Sequence, residues 1–168
     1  MKTNKLVITA LFIALSFIGA NIKIMGTIAF DAMPGFLGAL LLGPVYGGII
    51  GALGHFLTAL TSGFPLSLPV HLIITIIMGL TMAMFALVYK SLISKSKLLA
   101  LILAIIVGVV INGPIDLLLL TPFLMPIMGK AGIFALLPVL SAVAAINAIV
   151  AVLIYKFLPR SLKEYENK

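Results

Sequence analysis

Apolar residues run along this chain in long, nearly unbroken blocks, punctuated by short polar or proline–glycine stretches. Blocks of that length without period-two alternation predict helices rather than the strands of a closed barrel. The pattern places helices at about 5–22, 34–44, 46–62, 69–89, 98–120 and 131–156. The expected class is all-α: an integral membrane bundle of six transmembrane helices with both termini cytoplasmic, forming one domain over residues 1–168. Helices suit such an environment because they leave no backbone group unpaired in hydrocarbon. The opening MKTNKLVITALFIALSFIGA has the charge-then-apolar order of a signal peptide. Its run is long enough to span, and the rest of the chain is as apolar, so it reads as a retained first helix.

The stretch 34–62, PGFLGALLLGPVYGGIIGALGHFLTALTS, holds 29 residues, whereas two full spans need roughly 40. It is either one long kinked helix or two short helices divided at Gly43-Pro44. Charge bears on the choice. With six helices, Lys2, Lys5, Lys90, Lys95, Lys97, Lys156, Arg160, Lys163 and Lys168 lie on the cytoplasmic side and Lys23 and Lys130 outside, a split of 9 to 2. Five helices give 8 to 3 at best, so the excess of inner cations favours six. Three outer loops follow, at 23–33, 63–68 and 121–130, and these carry the aromatics, prolines and acids. The glycines of the second and third helices let backbones approach closely, which is how helices associate in lipid. The two halves show no visible repeat, so an inverted-repeat secondary carrier is not supported.

Composition removes any doubt about the solvent. The chain has 168 residues, 63% hydrophobic and 9% charged, with mean hydropathy +1.34. A fold of this size has too little interior to hide that much apolar surface from water. The absence of cysteine excludes disulfides, thiolate catalysis and thiolate metal sites. Two histidines and four acids are too few and too scattered along the chain for a metal site. The net charge of +7 sits at segment ends, marking topology rather than nucleic-acid binding. No nucleophile–base–orienter set can be assembled, so the residues do not describe an enzyme, and no cofactor is expected.

The candidate chemistry centres on INGPIDLLLLTPF, residues 111–123. Asn112 and Asp116 lie one turn apart on one helix face, with Pro114 between them removing a backbone donor. A charged group well inside the bilayer costs at least about 2.5 kcal/mol and normally faces a bundle interior or a wet cavity. Asp116 and Asn112 are therefore expected to line a polar cavity open to the outside. The alternative is a helix–helix hydrogen bond with an interfacial cap. Asp31, in IAFDAMPGF, fits either an N-cap of the second helix or a ligand contact. His71 follows GFPLSLPV and either meets a ligand or sits at the interface. His55 lies deeper, suited to an interhelical bond or to the ligand. Asn147 reads as interhelical glue. Phe36, Phe64 and Phe123 fall at outer-loop edges, where rings belong and where they can stack on a flat ligand. Ala10 and Ala14 give small-xxx-small spacing on the first helix, suited to a neighbouring helix or to another subunit.

Taken together, the lysine-bearing start, A-x-x-x-A in the first helix, D-x-x-P entering the second, and GPVYGGIIGALGHFLTAL resemble the substrate-binding S component of an energy-coupling factor (ECF) vitamin transporter. The resemblance covers the whole chain. It implies a high-affinity binding subunit without an ATPase of its own, which captures substrate from outside and joins a membrane T component and two cytoplasmic ATPases. It also implies that Ala10 and Ala14 form the docking surface and that the subunit topples in the bilayer. ALLLGPVYGGIIGALGHFLTALTSGFPL is similar to the group linked to α-ribazole, a nucleoside precursor of cobalamin. Pantothenate and tryptophan stay open as substrates, as does a non-transport structural subunit.

Overall fold

The computed structural model describes residues 2–21, 23–24 and 28–163. It is helical apart from two antiparallel two-residue strands, β1 (Lys23–Ile24) and β2 (Ile28–Ala29), with Lys23 opposite Ala29 and Ile24 opposite Ile28. The helices are α1 (Lys2–Ala20), α2 (Met33–Leu42), α3 (Pro44–Thr61), α4 (Leu68–Leu92), α5 (Lys97–Val110), α6 (Asp116–Phe157) and the single-turn α7 (Arg160–Lys163). Three uninterrupted helical stretches are long and apolar enough to cross a membrane: Pro44–Thr61, Leu68–Leu92 and Lys97–Phe157.

The ambiguous stretch 34–62 resolves as two helices. Gly43 adopts φ 88°, a left-handed conformation glycine tolerates, and Pro44 then opens α3 at a position where its missing N–H costs nothing. The length shortage disappears because α2 is a half-helix. Ten residues at 1.5 Å each reach about 15 Å, half a hydrocarbon core. Its start is held at depth by the Met33 N–H, which donates to Asn147 Oδ1 on α6 at 2.8 Å.

The predicted outer loop 121–130 is helical on both sides of a single turn at Gly129. Between Lys97 and Phe157 the chain leaves helical geometry only at Gly129 (φ 64°), where it doubles back, so that Gly113 packs against Ser141. Pro122 and Pro126 read as loop signals, yet both lie inside α6. In hydrocarbon, an open loop exposes many backbone groups, whereas a proline in a helix leaves only a few to be satisfied by neighbours. The same economy shows at Pro114, where the helix widens into one π turn, Ile111–Ile115, instead of breaking.

The main core gathers around α2. Phe36, Leu40, Ile50, Met82 and Phe85 are fully or almost fully buried, with Phe36 and Phe85 edge to face at 4.9 Å. A smaller cluster of Val70, Leu117, Leu120, Leu124 and Ile133 lies between α4 and the two arms around Gly129. Polar residues are few inside, and large apolar side chains cover much of the outside. Tyr89 Oη donates to Tyr155 Oη at 3.3 Å, so α4 and α6 end together, at the end where Lys90, Lys95, Lys97 and Lys156 also stand. Close packing of α3 depends on glycine. A Cβ at Gly47 would lie 2.6 Å from Ala39 Cα, and one at Gly51 would lie 2.8 Å from the Met78 carbonyl oxygen.

Gly47→Leu forces α2 and α3 apart against backbone and should cost about 1–3 kcal/mol. Ile76→Ala, on an exposed stretch of α4, should stay within about 0.5 kcal/mol. Thermal unfolding in detergent, followed by circular dichroism, checks both.

Candidate functional site

The half-helix leaves room above its start, and polar side chains from four elements converge there. Asp31 and Ala32 precede α2, His55 comes from α3, Asn112 from the π turn and Asp116 from the start of α6. Together they border a cavity of about 150 Å³. Its remaining wall is apolar: Ile74 and Met78 are one turn apart on α4, and Leu140, Val143 and Ala144 lie on the returning arm of α6. A larger hollow of about 500 Å³ lies between the arms around Gly129, but Lys130 is the one charged group among its lining residues. The smaller cavity holds the groups that most need a partner.

Asp116 is the clearest of these. It is 4% exposed, and its Oδ1 has no hydrogen-bond partner among the described residues. A buried carboxylate oxygen in that state forfeits at least the desolvation cost of an unmade hydrogen bond. The π turn explains how it comes to face inward. Widening the helix at Pro114 re-aims the following residues and carries Asn112 and Asp116 to the same cavity.

The other groups form a chain. His55 Nδ1 lies 3.9 Å from Asp31 Oδ2, and His55 Nε2 lies 3.2 Å from His71 Nδ1. One imidazole N–H donates to the other ring across the 3.2 Å contact, with the direction set by the tautomers. The buried His71 Nε2 has no partner among the described residues. The two imidazoles are stacked at 5.4 Å, and Phe64 stands 5.9 Å from His71. Phe64 adopts φ 49°, a strained region for an aromatic residue, in the turn between α3 and α4.

The structure thus brings Asp31, His55, Asn112 and Asp116 to one cavity and backs His55 with His71 and Phe64. It does not bring two expected rings there. Phe36 is fully buried against Phe85 and Gly108 rather than at a loop edge, because α2 begins at depth and carries its first turn into the core. Phe123 is 43% exposed on α6 and is absent from the cavity lining, because the segment expected as a loop is helix. Asp31 does not cap α2 either. The N-cap position is Ala32, without a side-chain bond, and Asn147 takes the Met33 amide from the neighbouring helix. Asn147 Nδ2 also donates within α6 to the Val143 carbonyl at 3.0 Å, so the amide is fixed on its own helix while its Oδ1 ties α6 to α2.

Ala10 and Ala14 are exposed on α1 beside Leu6, Val7, Leu11 and Ile18, while Thr9, Phe12 and Ser16 turn inward. The same-chain contact at these alanines is therefore not made. The apolar cavity wall escaped sequence reasoning because Ile74, Met78 and Leu140 look like every other apolar residue in the chain.

The family described as "ECF transporter, substrate-specific component" matches residues 4–159. The chain belongs to this family. It is a substrate-binding transporter subunit and not an enzyme, an integral membrane protein that acts with a T component and ATPases on a small molecule. A purely structural subunit is thereby set aside. A solved structure, "Structure and mechanism of the S component of a bacterial ECF transporter", is 22% identical and matches with a TM-score of 0.69 over 97% of this chain and 99% of that one. At that identity the likeness speaks for the fold. No curated protein matches.

For this S component, Asn147→Leu should leave the Met33 N–H buried without its acceptor and lower stability by about 1–3 kcal/mol. Thermal unfolding of the purified protein measures the loss.

Proposed function

We propose that the cavity bounded by Asp31, His55, Asn112 and Asp116 is the substrate site of this S component, and that its substrate is α-ribazole. The observation that carries the reading is the Asp116 carboxylate, buried at the cavity edge with Oδ1 unpartnered among the described residues. A substrate hydroxyl or N–H donating to that oxygen relieves its desolvation cost. His71 Nε2, behind His55, is a second buried polar atom without a partner among the described residues.

Among the described residues, the lining contains two carboxylates and no lysine or arginine. Pantothenate and tryptophan each carry a carboxylate, which would meet Asp31 and Asp116 with no cation among the described lining residues. A nucleoside instead offers paired ribose hydroxyls to an acid and a flat base to Phe64. The cavity, about 150 Å³, is smaller than the roughly 300–1,000 Å³ of most small-molecule sites. Admitting a nucleoside therefore requires the Phe64 turn to move outward, and the strain at Phe64 marks that turn as the mobile cover.

Transport follows from orientation. The lysine-rich end faces the cytoplasm by the positive-inside rule, so six spans leave the cavity opening outward. Ala10 and Ala14, exposed on α1, form the surface on which the T component and its two ATPases dock. The loaded subunit then topples and carries its site inward.

Titration calorimetry on the purified protein should show α-ribazole binding, with pantothenate and tryptophan inert. Binding of only the two carboxylates would overturn the substrate assignment. Asp116→Asn should weaken α-ribazole at least about tenfold, the scale of a lost charge-assisted hydrogen bond, with an unchanged circular dichroism spectrum. Unfolding of that variant would mark Asp116 as structural. Separately, Ala10→Leu with Ala14→Leu should leave binding intact and stop uptake in cells. Uptake that survives would place docking elsewhere.

A further inference from the structure

A second built feature lies at the opposite, lysine-rich end. Between α5 and the last turns of α6 runs a groove of about 470 Å³ floored by Leu101, Ile105 and Val152, with Leu98, Ile102 and Leu153 on its exposed flanks. At one end two ammonium groups stand over one ring, and a third lysine lines the groove beside it. Lys97 Nζ lies 5.9 Å and Lys163 Nζ 5.4 Å from the centre of Tyr155, and Lys156 lines the groove directly after Tyr155. Lys163 Nζ is held there by donating to the Lys156 carbonyl oxygen at 2.9 Å. Both acids among the described residues, Asp31 and Asp116, border the cavity described above, so no described carboxylate offsets these cations; Glu164 and Glu166 lie outside the described residues.

We infer that this groove binds one anionic phospholipid, its phosphate among Lys97, Lys156 and Lys163 and one acyl chain along Ile102 and Leu153. Charge complementarity selects the occupant. The ammonium groups of Lys97 and Lys163 share Tyr155, with Lys156 on the adjoining wall, and a headgroup phosphate can accept hydrogen bonds from several of them. The apolar floor continues from the charged mouth into the zone where acyl chains lie, so one molecule with an anionic head and a hydrocarbon tail satisfies both parts. Basic pockets between membrane helices on the positively charged side are recognised by such headgroups. A soluble anion would use the lysines and leave the groove empty; a protein segment would need acidic side chains and would be seated only in the assembled transporter.

The test is native mass spectrometry of the purified full-length protein, exchanged from detergent containing equal phosphatidylglycerol and phosphatidylcholine. One tightly retained phosphatidylglycerol per chain is expected, preferred at least about tenfold, because each lysine near a lipid headgroup contributes appreciably to attraction. K97Q/K156Q/K163Q should abolish the preference. Leu153→Trp, which fills the groove and keeps every charge, should also release the lipid. If the triple variant does not fold, Lys97→Gln alone should cut the preference about threefold. Retention unchanged in the lysine variants, or lost in them but unaffected by Leu153→Trp, would overturn the site, the second pattern meaning general surface attraction. Displacement by millimolar inorganic phosphate would overturn it in favour of a free-anion site. Lysine variants that keep the lipid but fail to assemble with the T component and ATPases would assign the face to a protein partner.

Discussion

A carboxylate buried in a bilayer protein must find a partner, and much of this fold can be derived from that requirement applied first to the backbone and then to side chains. Hydrocarbon offers no hydrogen bonds, so the chain stays helical across Pro114, Pro122 and Pro126, where a soluble protein would turn. At Pro114 the helix yields only as far as a π turn. That small yielding directs Asn112 and Asp116 to the cavity edge, so the backbone's answer to lipid also creates the polar site.

The half-helix α2 is the second consequence. A ten-residue helix that begins inside the bundle leaves its first amides needing acceptors there. Asn147 supplies one from across the bundle, at the Met33 N–H, although Asn147 is fully buried and 114 positions away in sequence. The gap above the start of α2 is then free for Asp31, His55 and Asp116. A full-length second helix would have filled this space with side chains like those of the core.

Element type and approximate number were legible in the sequence, because apolar block length is a strong signal and lysine placement reinforces it. Four polar candidates, Asp31, His55, Asn112 and Asp116, were legible for a similar reason: each is costly in a chain this apolar, and the cost singles it out. What escaped was depth. Placing Phe36 at a loop edge assumed that a helix begins at the membrane surface, and nothing in MPGFLGALLL says that it begins halfway. Placing Phe123 in a loop, and capping α2 with Asp31, treated proline and aspartate by rules learned in water, where loops are inexpensive and caps are local. The apolar cavity wall was invisible because only tertiary packing distinguishes Ile74 or Leu140 from dozens of residues like them.

Depth also limits how the site can open. The segment bearing Asp31 leans on the end of α1: the Phe30 N–H donates to the Gly19 carbonyl at 3.3 Å, and a Cβ at Gly19 would stand 2.5 Å from the Phe30 oxygen. Asn147 anchors the next residues from the other side. Held between α1 and α6, this wall has no room to retreat, since close-packed interiors accommodate added volume poorly. On the opposite side, Gly63 has nothing within 4 Å of the position its Cβ would occupy, and the turn it shares with Phe64 is joined to the site mainly through ring contacts with His71 and Phe56. Any widening of the cavity must come from that side.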